Sequence, residues 1–291
     1  FYLYSLKFSL NRMKKTLNIS ISNPAHNILA DMYYNEQNTG ALVLFCHGFK
    51  GFKDWGAWHL VAKDFAEAGF IFIKFNFSHN GIGKEDFQNL TRLDLFKKNN
   101  YSKEMEDVEV VLNWIGGESY KEKKLPAVKN IFILGHSRGG GIALLSAFEN
   151  SKISKVATWA SIANFDRFGN EEDLVQWKLE GQKNFYNSRT KQDMKIGFQF
   201  YQDFDKNRQR FDLEKAAKNL KQALLLVHGK KDEGVGFSHA QRIKTWQQNA
   251  ELVLIEGANH VFGAQHPYIG TSLPVDLEKV VQETILFFKK H

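Results

Sequence analysis

Ser137 lies in the segment GHSRG, residues 135–139, which has the GxSxG pattern of a nucleophilic serine. A serine at a tight turn from a strand into a helix holds its hydroxyl exposed, and glycines two positions away let the two elements approach each other. The pattern by itself has odds of about one in ten of arising by chance in a chain of this length. An apolar run over residues 130–134 and a helical pattern over residues 139–148 flank it, which makes it much more specific. We therefore predict that Ser137 is a catalytic nucleophile.

A serine hydroxyl is a poor nucleophile near neutral pH, so it needs a general base. When the serine occupies this kind of turn, the histidine follows the last strand of the sheet. The last predicted strand, residues 252–255, leads into the loop EGANH, which ends at His260. His266 is the nearby alternative, but it lies at the far end of the loop, next to Pro267. We expect His260 to be the base.

The acid that orients such a histidine follows an earlier strand, and Asp232 is in that position. Residues 223–227 form an apolar run that leads into the segment HGKKDEGV, residues 228–235. The Asp232 carboxylate would accept the Nδ1 proton of His260 and stabilise the imidazolium formed during attack. Glu233 is the alternative acid, and a charged loop without a catalytic role is the alternative interpretation.

The tetrahedral intermediate of acyl transfer needs hydrogen-bond donors for its oxyanion. One donor is expected to be the backbone amide of Arg138, directly after the serine. The second should come from the loop after the third strand, which reads HGFKG over residues 47–51. We assign the Phe49 amide to that role, since the glycines beside it allow the backbone to turn inward.

These residues require a sheet that brings distant loops together, and the rest of the chain predicts one. Eight β-rich runs alternate with segments of helical period, which indicates an α/β fold with an eight-stranded, mostly parallel sheet and helices on both faces. The first two runs are separated by Asn23-Pro24 and alternate apolar with polar residues, so we expect an antiparallel edge. The strands are predicted at residues 17–22, 28–34, 41–46, 70–75, 130–134, 155–160, 223–227 and 252–255. The main helices are predicted at about residues 58–68, 102–114, 139–148, 239–249 and 274–289.

Residues 166–220, after the sixth strand, contain no buried-strand run and are predicted to be a small cap insertion. The core then consists of residues 16–165 and 221–291. A helix over residues 171–181, and a hairpin with a short helix over residues 184–204, are expected to lie over the sheet. Four cap aromatics are expected either to line an apolar substrate pocket or to bury the cap against the body: Trp177, Phe185, Tyr186 and Tyr201.

Composition limits the remaining possibilities. The chain has 43% hydrophobic residues, which is enough for a sizeable core. Its net charge is +7, and its lysines and arginines are mixed with acidic residues along the sequence. This mixture favours a solvated basic surface over a nucleic-acid site. Cys46 is the single cysteine, so no intrachain disulfide can form and a cytoplasmic location is predicted. No run has the length needed to span a membrane, and no histidine spacing resembles a zinc site.

The N-terminal segment, residues 1–15, is predicted to be an extension outside the core. Its apolar stretch is interrupted by Lys7 and its basic cluster follows that stretch, which matches a secretory signal poorly. Met13 is a candidate start residue, and residues 1–12 would then be upstream sequence.

The motifs HGFKG, GHSRGG, HGKKDEGV and GANH, in this order, resemble the α/β-hydrolase superfamily, and the resemblance extends from about Thr16 onward. Within it, the chain is similar to bacterial cinnamoyl and feruloyl esterases and to dienelactone-hydrolase-like proteins. The resemblance implies hydrolysis of a small-molecule ester through an acyl-enzyme, and we predict neither a cofactor nor a metal. It implies a triad of Ser137, Asp232 and His260, with oxyanion amides from Phe49 and Arg138. Arg138 stands where the family often has Gln or Met, which puts a cation near the pocket and leaves acidic substrates open.

Two other classes of function remain compatible with the sequence. A peptidase, thioesterase or acyltransferase would use the same residues, because the triad fixes acyl chemistry but not the leaving group. A non-catalytic interaction module on the same fold would keep the architecture without the reaction. The sequence leaves the substrate and the oligomeric state undetermined.

Overall fold

The computed structural model describes residues 12–19, 28–83, 86, 89–187 and 191–290. The predicted end of the first strand and the Asn23-Pro24 turn lie outside the described residues, as do residues 1–11 of the predicted extension. The strands are β1 (Arg12–Ile19), β2 (Ile28–Asn35), β3 (Ala41–Cys46), β4 (Ile71–Phe75), β5 (Asn130–His136), β6 (Ile153–Trp159), β7 (Gln182–Asn187), β8 (Gln192–Gly197), β9 (Ala223–Gly229) and β10 (Glu251–Ile255). The helices are α1 (Trp58–Glu67), α2 (Leu93–Lys97), α3 (Tyr101–Trp114), α4 (Glu118–Glu122), α5 (Arg138–Glu149), α6 (Glu171–Glu180), α7 (Gln199–Lys206), α8 (Leu213–Lys218), α9 (Ser238–Trp246) and α10 (Val275–Lys289).

The main sheet has eight strands in the order β1-β2-β4-β3-β5-β6-β9-β10. In this sheet β4, β3, β5, β6, β9 and β10 run parallel to one another, whereas β2 is antiparallel to both β1 and β4. All residues of β3 and β4 are buried, as expected for strands covered on both faces. Helices α1 and α10 contact each other, while α3, α5, α8 and α9 form a second contacting set. The predicted α/β fold, with a mostly parallel sheet and an antiparallel edge, is confirmed.

The register of the sheet brings the candidate residues to one edge. In the central strands, Cys46 lies opposite Gly135, which lies opposite Thr158. The carboxyl ends of β3, β5, β9 and β10 therefore meet, and parallel sheets place their ligand sites at that edge. The four loops in which sequence motifs were found all begin there.

The edge strand β1 begins at Arg12, upstream of the predicted start at Leu17 and inside the predicted extension. Arg12 pairs with Asn35 and Lys15 with Met32. An edge strand is held by backbone hydrogen bonds to a single neighbour, so it accepts basic side chains that interrupt an apolar pattern. Those side chains obscured the start of the strand in the sequence.

Between β6 and β9 the chain forms helix α6, an antiparallel hairpin of β7 and β8, and helices α7 and α8. Helix α6 begins with a capping box in which the Asn170 side chain accepts from the Asp173 amide, and Asp173 accepts from the Asn170 amide. Aromatic rings of this segment pack on Tyr101 of α3, among them Phe200 at 4.6 Å between ring centroids. In the described part of the chain, no helix is long and apolar enough to cross a membrane.

Candidate active site

Ser137 occupies the turn between β5 and α5 with φ 57° and ψ −121°. A non-glycine residue held in such a sparsely populated region costs on the order of 1–3 kcal/mol, so the surrounding structure must enforce it. The Ser137 amide donates to the Trp159 carbonyl at 2.8 Å, and the Ser137 carbonyl accepts from the Gly140 amide at 3.0 Å. Both backbone groups are therefore fixed, and the side chain projects from the sheet edge.

Two glycines allow the backbone to pack tightly around Ser137. A Cβ on Gly139 would lie 2.3 Å from the Cys46 carbonyl oxygen, and a Cβ on Gly48 would lie 2.9 Å from the Ser137 Cβ. Real Cβ atoms essentially never approach so closely. These positions therefore need glycine so that α5 and the loop after β3 can both reach the serine.

Ser137, His260 and Asp232 form a continuous chain of hydrogen bonds. His260 Nε2 lies 3.0 Å from Ser137 Oγ, and His260 Nδ1 lies 2.7 Å from Asp232 Oδ2. With Nδ1 donating to the carboxylate, Nε2 is the lone-pair nitrogen that can accept the serine proton. The structure thus brings together the three residues predicted as the triad, in the geometry that acyl transfer requires.

Asp232 is buried and held in one orientation. Its Oδ1 accepts the backbone amides of Gly234 at 2.9 Å and Val235 at 2.8 Å, while His228 Nε2 lies 3.2 Å from its Oδ2. Burial raises the pKa of Asp232, but hydrogen bonds from His228, His260 and the Val235 amide outweigh burial and hold it below its ordinary value. The carboxylate is therefore ionised near neutral pH and can stabilise an imidazolium at His260.

His136 fixes the loop that carries His260. The His136 ring donates from Nε2 to the His260 carbonyl at 2.8 Å. Burial is the main reason that the pKa of His136 is lowered to about 3, so the ring is neutral under ordinary conditions. A neutral donor next to His260 adds no second positive charge when the imidazolium forms.

His47 fixes the loop after β3 in the same way. Its Nδ1 donates to the Gly48 carbonyl at 2.9 Å, and its Nε2 accepts from the Phe77 amide at 3.3 Å. Burial is again the main cause that lowers its pKa, to about 4. The Gly51 amide donates to the Gly48 carbonyl at 3.0 Å, which closes a turn around Phe49. This turn is the segment from which an oxyanion amide was predicted.

The two predicted oxyanion residues pack against each other through their side chains. The Arg138 guanidinium carbon lies 4.4 Å from the centroid of the Phe49 ring, which is a cation–π distance. The same ring stacks on Phe96 at 5.6 Å and meets the edge of Phe185 at 5.5 Å. The contact ties the loop after β3 to the first residue of α5, so the backbone amides of Phe49 and Arg138 are held by one packed unit.

Glu104 of α3 supports this unit and was not predicted from the sequence. Its Oε1 lies 2.5 Å from Arg138 Nη2 and accepts from Asn99 Nδ2 at 2.8 Å. Burial raises the pKa of Glu104, while the charge of Arg138 and the two hydrogen bonds lower it, and burial is the larger effect. Because Glu104 pairs with the Arg138 guanidinium, the positive charge of this arginine is already compensated. Arg138 is therefore a poor candidate for binding an acidic substrate.

Replacing Arg138 with methionine is expected to make stability depend on pH, because the substitution leaves Glu104 buried without its cation. The pKa of Glu104 then rises further above the value of about 4.3 in an unfolded chain. A raised pKa in the folded state contributes stability below the unfolded value, and this contribution is lost as pH rises toward the folded value. The melting temperature relative to wild type should therefore fall progressively as the pH rises above the unfolded-state pKa of about 4.3.

The double variant Glu104→Gln/Arg138→Met is the control for this prediction, because it removes the carboxyl that titrates. Thermal unfolding followed by circular dichroism across the pH range should show a flatter profile for the double variant. A deficit in Arg138→Met that stays constant with pH would contradict the assignment to Glu104.

A cavity of about 450 Å³ opens beside Ser137 and His260 under the segment between β6 and β9. Trp177 and Phe185, two of the predicted pocket residues, line it. Tyr186 is instead 60% exposed, and Tyr201 packs edge-on against Phe168 at 5.3 Å, so both lie outside the lining. The aromatic and aliphatic wall consists of Phe49, Tyr101, Ile162, Phe168, Trp177, Phe185, Ile196, Phe200 and Val235.

The rival residues named from the sequence lie in other surroundings. His266 Nδ1 accepts from the Gly56 amide at 3.0 Å, and its ring packs on Phe52 at 5.0 Å. Glu233 is exposed to solvent beside the buried Asp232. Within the described ranges, no group of three or more His, Cys, Asp or Glu side chains has an arrangement that could hold a metal ion.

Comparison with known proteins agrees with this architecture. The sequence model of the alpha/beta hydrolase fold family matches residues 41–282, and the chain belongs to that family. No curated protein matches the chain in sequence.

Solved structures with a similar fold share little sequence with the chain. Est1E from Butyrivibrio proteoclasticus with bound ferulic acid is 20% identical with a TM-score of 0.70, covering 94% of this chain and 97% of its own. The dienelactone hydrolase from Anabaena variabilis is 16% identical with a TM-score of 0.60, covering 95% and 97%. The monoacylglycerol lipase from Paleococcus ferrophilus is 14% identical with a TM-score of 0.63, covering 89% and 97%. At these identities the similarity establishes the fold.

Proposed function

We propose that the protein is a serine hydrolase that cleaves a carboxylic ester through an acyl-enzyme, with Ser137 as nucleophile, His260 as base and Asp232 as orienting acid. The observation that carries the proposal is the uninterrupted path from Ser137 Oγ through the His260 ring to Asp232, at 3.0 and 2.7 Å. The path ends at a cavity large enough for a small ester.

In the first half of the proposed reaction, Ser137 Oγ attacks the ester carbonyl carbon while its proton moves to His260 Nε2. The carbonyl π electrons move onto oxygen, and the resulting oxyanion accepts hydrogen bonds from the amides of Phe49 and Arg138. Collapse of this intermediate breaks the bond to the leaving oxygen, which takes the proton from His260 Nε2. An alcohol leaves, and the acyl group is esterified to Ser137.

The second half repeats these steps with water. His260 Nε2 takes a proton from a water molecule whose oxygen attacks the acyl carbon, and the same two amides stabilise the oxyanion. The bond to Ser137 Oγ then breaks as the serine recovers its proton from His260. The carboxylic acid leaves and the enzyme returns to its starting state. Asp232 remains ionised throughout, because its pKa is held low.

The apolar wall of the cavity supports an ester with an apolar or aromatic portion. Six aromatic side chains, including Trp177 and Phe185, border the space next to Ser137. Apolar surface of this kind contributes about 25 cal/mol for each Å² of ligand surface that it removes from water. Structural relatives whose names include esterase, lipase and dienelactone hydrolase support ester chemistry as the default within the family.

We also propose a cytoplasmic location, for which the single cysteine is the support.

A fluorophosphonate probe and a panel of acyl substrates test the proposal. The probe should label the wild-type protein at Ser137, identified by peptide mass spectrometry, and the label should be absent from Ser137→Ala. Among 4-nitrophenyl esters, thioesters and aminoacyl amides of matched acyl length, the esters should have the highest kcat/KM relative to their uncatalysed hydrolysis. Preference for thioesters or amides would favour the alternative leaving groups. Failure to label Ser137 would favour a non-catalytic module.

A further inference from the structure

The cavity next to Ser137 has basic side chains in its lining in addition to its apolar wall. Its lining includes four basic residues, Lys50, Arg138, Arg167 and Lys183, and no Asp or Glu side chain contributes to it among the described residues. Arg138 is neutralised by Glu104, as its 2.5 Å contact indicates. Arg167 and Lys183 differ from Arg138 because neither forms an ion pair with a carboxylate in the described part of the chain.

Among the described residues, the partners of Arg167 and Lys183 are neutral groups. Arg167 Nη2 donates to the Gly234 carbonyl at 3.3 Å, and Lys183 Nζ donates to the Phe168 carbonyl at 3.0 Å. Lys183 also lies 5.9 Å from the centroid of the Trp177 ring. A carbonyl oxygen satisfies one N–H donor but leaves the positive charge uncompensated, so both side chains retain donors for an anion.

The acidic residue nearest in the sequence to each cation has another partner. Asp166, next to Arg167, pairs with Arg208 at 3.0 Å, and Glu180, three residues before Lys183, accepts from Gln176 Nε2 at 2.5 Å. Asp232, in the loop whose Gly234 carbonyl accepts from Arg167, is buried against His260 and His228. None of these carboxylates is paired with Arg167 or Lys183.

Both cations line the cavity that contains Ser137 and His260. Lys183 of β7 donates to the carbonyl of Phe168, the residue that follows Arg167, so the side chain of one cation lies against the backbone next to the other. Arg167 in turn binds the carbonyl of Gly234, and a Cβ on that glycine would lie only 3.3 Å from His260 Cγ. A negatively charged group bound by this pair would therefore belong to a molecule that also reaches Ser137.

We propose that Arg167 and Lys183 form a subsite for a carboxylate on the substrate, so that the enzyme prefers esters that carry a second, ionised carboxyl group. This inference rests on the proposed ester hydrolysis and specifies its substrate class. The aromatic wall binds the apolar part of such a molecule, and the cation pair binds the charged end. Lys50 lines the same cavity, but the subsite does not depend on it.

The closing experiment compares an anionic ester with a neutral ester of the same shape. Mono(4-nitrophenyl) adipate and 4-nitrophenyl hexanoate differ in that a carboxylate replaces a methyl group on the acyl side. The pair 4-acetoxybenzoate and 4-methylphenyl acetate makes the same comparison on the alcohol side. The wild-type enzyme should prefer the anionic member of one pair by about tenfold or more in kcat/KM, and the pair concerned locates the carboxylate.

The double variant Arg167→Gln/Lys183→Gln should lose this preference, seen as a fall in the anionic-to-neutral ratio of kcat/KM. Lys195→Gln is the matched control, since Lys195 is an exposed lysine on β8 that does not line the cavity. Its ratio should stay at the wild-type value. A ratio that falls equally in the control would assign the preference to general surface charge and overturn the subsite.

Binding to a protein that cannot turn over separates this inference from the proposed function. In Ser137→Ala, calorimetry should show that monoethyl adipate binds about tenfold or more tightly than diethyl adipate, with the difference lost on adding Arg167→Gln/Lys183→Gln. Equal binding of the two, together with equal hydrolysis of each ester pair by wild type, would overturn the carboxylate subsite and leave the hydrolase intact. Preferential binding of the half-ester without hydrolysis of any ester would instead support the subsite and contradict the proposed reaction.

Discussion

Replacing Ser137 with alanine is expected to lower kcat for ester hydrolysis by a factor on the order of 10⁶, the loss found when the nucleophile of a serine hydrolase is removed. The reason is that Oγ is the only group in the hydrogen-bonded path that can form the covalent acyl intermediate. The cavity and both oxyanion amides remain, so the residual rate should stay above that of the reaction in water. Steady-state kinetics with a 4-nitrophenyl ester measures the change.

His260→Ala should have an effect of similar size, and the double variant should be no worse than either single variant. This non-additivity is expected because His260 acts through the proton of Ser137, at 3.0 Å between Nε2 and Oγ. Each variant should retain wild-type circular dichroism, since neither side chain belongs to the apolar core. A Ser137→Ala protein that keeps a tenth of wild-type activity would refute the assignment of the nucleophile.

The sequence predicted the fold well because its signals were local and repeated. Most parallel strands are nearly continuous apolar runs, although β4 contains Lys74 and β6 contains Ser154 and Lys155. The four loops with unusual composition follow β3, β5, β9 and β10. Strand order and residue spacing then confined the candidate base and acid to short loops, where His260 and Asp232 were selected over His266 and Glu233. In the structure, His266 packs on Phe52 instead of approaching Ser137.

What the sequence missed depends on contacts between distant segments. Glu104 is an ordinary acidic residue of an amphipathic helix until α3 packs beside α5 and brings it against Arg138. Arg167 and Lys183 are ordinary surface cations until the hairpin folds back over residue 168. Tyr186 points away from the cavity because side chains alternate along a strand, and its neighbour Phe185 is the one that points inward. A strand prediction without its orientation cannot distinguish these two.

Asp232→Asn is expected to lower kcat by a factor on the order of 10⁴, the loss seen when the orienting aspartate of a Ser-His-Asp triad is replaced by asparagine. The amide can present an N–H to Nδ1, which favours the tautomer that carries its proton on Nε2 and cannot accept from Ser137. It also removes the negative charge that stabilises the imidazolium. Because the pKa of Asp232 is held below its ordinary value, wild-type activity should show no loss from protonation of this carboxyl near neutral pH.

Glu233→Gln is the matched control, since it removes a carboxylate from the neighbouring position of the same loop. The Glu233 side chain is exposed, whereas Asp232 is fixed by the amides of Gly234 and Val235 at 2.9 and 2.8 Å. An exposed glutamate would have to displace Asp232 from these bonds to reach Nδ1, so kcat of Glu233→Gln should stay within about twofold of wild type. If Glu233 compensates nevertheless, Asp232→Asn alone will have a small effect and the double variant will show the full loss. That result would show that the two carboxylates share the role, whereas the hydrogen bonds of Asp232 to His260 and to the loop amides favour Asp232 alone.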